Sequence, residues 1–100
     1  MRYLILIAVF WQTMNISAYT HSNNPTASGV MPQVGMCACD KINGEWVKFG
    51  TRITLPDGRV LTVTDRFGDS RNNCLDIFME TEQECWEWGR RYVKCKVELP

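Results

Sequence analysis

One hundred residues suffice for a single domain with one modest core, and a chain that is 45% hydrophobic with four Trp, four Phe and three Tyr is globular in composition rather than disordered. Eleven basic and eleven acidic side chains cancel. That balance leaves no electrostatic footprint for nucleic acid and no like-charge run for another polyanion.

Arg2 is the only charge in the first 20 residues, and it precedes an unbroken apolar run over residues 3–11. A helix crossing a membrane needs about 20 apolar residues, so no stable membrane span is expected here. The run has the length of a signal-peptide h-region behind a basic residue. Residues 1–18 are therefore read as an export signal with Ile16-Ser17-Ala18 at the cleavage site, and residues 19–100 as the exported domain, which places the protein in the periplasm or cell envelope. The competing reading of the same run is a buried N-terminal strand.

Residues 21–29 are polar and turn-rich, with Asn23-Asn24-Pro25 and Ser28-Gly29, and read as a loop. Residues 34–40 suit a short strand, and residues 41–50 a connection carrying Asn43-Gly44. Residues 51–64 form the clearest element, a β-hairpin around Pro56-Asp57-Gly58. A three-residue loop with Gly58 left-handed sets Ile53 opposite Leu61 and Thr51 opposite Val63, which keeps the apolar residues on one face. Residues 74–79 predict a strand with Leu75, Ile77 and Met79 on one face and Cys74, Asp76 and Phe78 on the other. Thr81 and Glu84 make a capping box that opens a short helix ended by Gly89, with Cys85 and Trp88 on one side. Residues 91–99 alternate Tyr92/Lys94 against Val93/Cys95/Val97 and predict a last strand. Short strands, one late helix and no βαβ alternation describe a mainly β domain, a barrel.

Five cysteines (Cys37, Cys39, Cys74, Cys85 and Cys95) leave at least one thiol unpaired and the pairing of the others open. In an exported domain each bridge would add about 2–4 kcal/mol. Cys37-Ala38-Cys39 has the wrong spacing for a zinc knuckle and His21 is the sole histidine, so neither a metal nor a cofactor is expected.

Seven short pieces occur in order: Ala18-Tyr19-Thr20, Thr26-Ala27-Ser28-Gly29-Val30, Ala38-Cys39-Asp40, Gly50-Thr51, Thr64-Asp65, Leu75-Asp76-Ile77-Phe78 and Trp88-Gly89-Arg90. The series resembles the 3D domain, a family of bacterial and phage cell-wall proteins named for three aspartates, over residues 16–99. The resemblance implies a six-stranded double-psi β-barrel with one short helix, as in the membrane-bound lytic transglycosylase A and rare lipoprotein A families and the expansins. It further implies a monomeric lytic transglycosylase that cleaves peptidoglycan between N-acetylmuramic acid and N-acetylglucosamine. Asp40, Asp65 and Asp76 fall at the name-giving positions, with Asp76 as catalytic acid. Thr20, Asp40 and Arg71 are the implied substrate-side residues. Arg71 stands where a Gly-Gly-Ala-Ile-Lys-Gly loop of relatives has its lysine, but of that loop's glycines only Gly68 is kept, and Lys41 follows Asp40 where Pro is common.

Breaking a glycosidic bond requires a proton for the leaving oxygen and stabilisation of an oxocarbenium-like transition state. A transglycosylase uses one carboxyl group for both proton transfers, because the sugar's own C6 hydroxyl attacks and its proximity replaces an external water. Such a group must rest protonated. Asp76 has apolar neighbours, and Asp65 is a second negative group that raises its pKa further or orients the site. Arg66 or Arg71 paired with Asp76 would do the opposite. Asp65 is equally a turn-forming residue, and Asp40 reads best as a loop anchor. Tyr19 is a candidate for the cleft lining, Trp46 and Trp86 for stacking on sugars or for the core. The alternative to an enzyme is a non-catalytic glycan-binding barrel in a phage or envelope assembly.

Overall fold

The structure is a computed structural model that describes residues 8–100. Arg2 and the first part of the apolar run lie outside the described residues. The elements are β1 (Val9–Tyr19), β2 (Met36–Ala38), β3 (Lys41–Ile42), β4 (Glu45–Trp46), β5 (Arg52–Thr54), β6 (Val60–Asp65), β7 (Cys74–Phe78), α1 (Glu82–Trp88) and β8 (Arg91–Glu98). Six strands close a barrel in the order β1-β7-β2-β6-β5-β8, and β3 and β4 make a separate hairpin.

The pairs β1–β7 and β2–β6 are parallel, and the other four are antiparallel. Exchanging β1 with β6, β2 with β7 and β5 with β8 reproduces the ring read backwards. The two halves of the chain thus interlock about a pseudo-two-fold axis that passes between β2 and β7, the double-psi arrangement.

Period-2 patterning fills the barrel. Met14, Ile16, Cys37, Ile53, Leu61, Val63, Leu75, Ile77, Cys95 and Val97 point inward and are buried. Burying an aliphatic side chain of this kind contributes about 1.5–3 kcal/mol. The expected 51–64 hairpin has the expected register: Ile53 faces Leu61, Gly58 has φ 93°, and Val63 N–H donates to Thr51 O at 2.9 Å. Thr81 Oγ1 caps α1 by accepting from Glu84 N at 3.1 Å. The returning arm of the box differs from expectation, because Glu84 Oε1 accepts from the Thr81 hydroxyl rather than from its backbone. Gly89, at φ 63°, ends the helix, and Trp88 docks it by donating Nε1–H to Ile16 O at 3.0 Å.

The N-terminal strand decides between the two readings of the apolar run for residues 9–19. β1 is hydrogen-bonded to β8 over Val9–Ile16 and to β7 over Asn15–Tyr19, and Met14 and Ile16 are fully buried. Cleavage after Ala18 would remove all of β1 except Tyr19 and open the ring. A short apolar run is compositionally the same whether it becomes an h-region or a buried strand. Among the described residues no helix is long and apolar enough to cross a membrane.

Candidate functional site

Register places the site. The parallel β2–β6 ladder carries a bulge between Cys37 and Ala38, so that Cys37 faces Val63 but Ala38 faces Asp65. Without that extra residue Asp65 would fall one step out of line. Ala38 in turn faces Asp76 on β7, and Asp76 faces Ser17 on β1. Asp65, Ala38, Asp76 and Ser17 therefore form one rank across four adjacent strands, beside the pseudo-two-fold axis. The Asp65 and Asp76 backbones lie two strand spacings apart, roughly 10 Å.

Asp76 is half-buried. Ser17 Oγ lies 3.1 Å from its Oδ1 and 3.3 Å from Leu75 O. Among the described residues Asp76 has no ion-pair partner. Burial pushes its carboxyl above the usual range. The Ser17 hydrogen bond and the more distant Arg71 and Arg90 pull it back, and Asp65 raises it further. The two arginines expected to compete are engaged elsewhere. Arg66 donates Nη1–H to Cys39 O at 2.7 Å and Nη2–H to Val47 O, and its guanidinium lies 4.3 Å from the Phe49 ring centre. Arg71 donates Nε–H to Asp69 Oδ2 at 2.7 Å and covers Phe67.

Asp65 Oδ1 accepts from Ala27 N–H at 2.7 Å and Arg66 N–H at 2.8 Å, which ties the loop after β1 to the end of β6. Asp65 thus combines the turn-forming role with a place in the rank. Asp40 is fully buried, its Oδ1 accepting from Phe67 N–H at 2.9 Å and its Oδ2 from Arg71 N–H at 3.2 Å. It anchors the 66–75 loop and is sealed from any ligand, which corrects its placement on the substrate side. Arg71 is exposed and turned to Asp69.

Four buried polar atoms have no partner in the protein: Asn15 Oδ1, Tyr19 Oη, Thr20 Oγ1 and Thr64 Oγ1. An unsatisfied buried group costs about 1–3 kcal/mol. Three of the four are hydroxyls in or beside the rank of carboxylates. Tyr19 is within electrostatic reach of both acids: burial first, then Asp65 and Asp76, push its phenol up to about 12. Its ring packs edge-on to Phe78 at 5.6 Å, and Phe78 also meets the His21 ring at 5.0 Å. His21 is bonded to Glu80 at 2.9 Å rather than only solvated. The whole arrangement sets one proton-holding carboxyl among neutral hydroxyls, suited to a polyhydroxyl ligand.

Sequence reasoning missed Ser17 and Thr64. Ser17 shares the outward face of β1 with Tyr19 at two-residue spacing, a signal hidden by its reading as part of a cleavage site. Trp46 and Trp86 are not core residues, with 55% and 86% of their surface exposed. Compared with known proteins, the chain matches no family model and has no significant match among curated proteins.

Proposed function

We propose that the chain is an exported lytic transglycosylase that cuts peptidoglycan between N-acetylmuramic acid and N-acetylglucosamine with Asp76 as its single acid/base. The observation that carries this reading is the half-buried Asp76 carboxyl, raised by burial and free of any ion pair among the described residues. In the neutral form it donates its proton to the bridging oxygen as the glycosidic bond breaks. The resulting carboxylate then takes a proton from the C6 hydroxyl, whose oxygen closes on the anomeric carbon to give a 1,6-anhydro sugar. The acid is regenerated and no water is consumed. The Ser17 proton steadies the carboxylate between the two transfers, and the orphaned hydroxyls of Tyr19, Thr20 and Thr64 suit the sugar's own hydroxyls. Export in this reading has to leave β1 attached.

Incubation with purified peptidoglycan, followed by mass spectrometry of the soluble fraction, tests the proposal. Anhydro-muropeptides are expected from the native chain and not from Asp76→Asn. An intact wall, or equal release by the variant, overturns it. A non-catalytic glycan-binding barrel is favoured by one observation, the exposed Trp46 and Trp86, and predicts retention on the wall without release of product.

A further inference from the structure

A second concavity begins on the far side of Phe78. A hollow of about 350 Å³ lies between the start of β6 and the end of β7, walled by Val34, Val60, Leu61, Phe78 and Met79, with Arg59 and Glu84 at its rim. That volume is within the range of small-ligand sites. A second hollow, of about 140 Å³, shares Arg59, Met79 and Glu84 with the first and continues along α1 past Glu87, Trp88 and Arg91. Together they make one groove with an apolar head and a stem lined by two guanidinium and two carboxylate groups.

The cations are held in place. Arg59 and Arg91 lie 5.1 Å and 4.2 Å from the Trp88 ring centre, and Trp88 is itself buried and pinned to Ile16 O. Arg59 also pairs with Asp57 at 3.2 Å, and Arg91 donates Nε–H to Trp88 O at 3.0 Å. Glu84 meets the Thr81 hydroxyl and Glu87 the Gln83 amide, both from exposed positions. Equal numbers of fixed positive and negative groups disfavour a polyanion. They complement a short extended peptide that carries carboxylates, an ammonium group and small apolar side chains.

The groove adjoins the carboxylate rank. Phe78 is two residues from Asp76, about 7 Å along β7, and separates the groove from Tyr19. We infer that this groove binds the peptide branch of the glycan, so that the preferred substrate is a peptide-bearing strand rather than a naked one. The inference rests on the reading of the Asp76 cleft as the glycan site.

The probe is a glycan-free synthetic tetrapeptide, L-alanyl-γ-D-glutamyl-L-lysyl-D-alanine, titrated into the full chain and followed by amide chemical shifts. Shifts at Val60, Met79 and Glu84 are expected, with affinity falling roughly tenfold in Arg59→Gln and in Glu87→Gln, the loss of one charge-assisted bond in each. Both side chains are exposed, and circular dichroism verifies that the variants fold. No shifts at millimolar peptide, shifts confined to another face, or unchanged affinity in both variants overturns the inference. Cleavage of intact peptidoglycan and of amidase-stripped strands separates the two claims. Equal cleavage of both sinks the peptide groove and leaves the enzyme reading standing. Peptide binding at the groove with neither polymer cut supports the groove and sinks the enzyme reading.

Discussion

Ser17 and Asp76 face each other across the parallel β1–β7 pair, with the serine Oγ 3.1 Å from Asp76 Oδ1 and 3.3 Å from Leu75 O. A hydroxyl has one proton and two possible receivers here. It serves the carboxylate when Asp76 is ionised. It can turn to Leu75 O when Asp76 is neutral and its Oδ1–H points at the serine. Both protonation states are therefore satisfied without moving the backbone.

Asp76→Asn is expected to lower anhydro-product release by roughly 10²–10⁴-fold, the usual worth of a positioned acid/base. The same substitution carries a stability signature with a definite sign. Burial raises the folded-state pKa of Asp76 above its unfolded value. The native form thus holds its proton more tightly, a stabilisation present in full at acid pH and lost as pH rises through the folded pKa. Urea midpoints of the variant relative to the native chain should improve from pH 3 to pH 7.

Ser17→Ala removes a bond that favours the charged form. The acid then stays protonated to higher pH, and the alkaline limb of the pH–rate profile should move upward. Unchanged limbs in a folded Ser17→Ala variant would show that the serine does not reach the acid in solution.

Asp40→Ala should destabilise the fold by roughly 3 kcal/mol, because it strands the Phe67 and Arg71 amides that the carboxylate serves. Asp40→Asn keeps one acceptor and should recover part of the loss. Urea unfolding measures both, and neither variant should alter peptide binding in the distant groove.

Deleting residues 1–18 should abolish cooperative unfolding, since it withdraws Met14 and Ile16 from the core and both neighbours from β7 and β8. Ile16→Ala alone should cost about 2–5 kcal/mol. The mass of the mature protein should correspond to a chain that still contains Val9.

All five thiols are free, three of them buried. Burial pushes Cys39 up to about 12 and Cys95 up to about 11, and it raises Cys37 as well. Iodoacetamide at pH 8 should therefore label Cys74 and Cys85 in the native protein, and the other three only after unfolding. Peptide mass mapping would detect early labelling of Cys37 as a contrary result.

Where the chain repeats a period, its sequence was informative. The 51–64 hairpin, both faces of β7, the Thr81 cap and the alternation of β8 all rest on local patterns that tertiary packing left unopposed. The β3–β4 hairpin escaped because two-residue strands carry no period, although Asn43 and Gly44, at φ 52° and 80°, make the left-handed turn that pair of residues favours. The apolar start of β1 was ambiguous in principle. The bulge after Cys37 has no sequence signature, yet it alone aligns Asp65 with Asp76. Asp40 was legible as a loop anchor, but its two amide partners come from a loop 27–31 residues further along the chain, a pairing no local pattern encodes.

The interlocked ring also orders events in time. Phe10 finds its register partner only in Val97, and Asn15 finds its partners only in Cys74 and Tyr92. A nascent chain emerging from the ribosome has no mate for its first strand until nearly all of it has been synthesised, and pairings so remote in sequence form slowly. The polypeptide therefore leaves translation unfolded, in the threadable state that passage through a membrane pore demands.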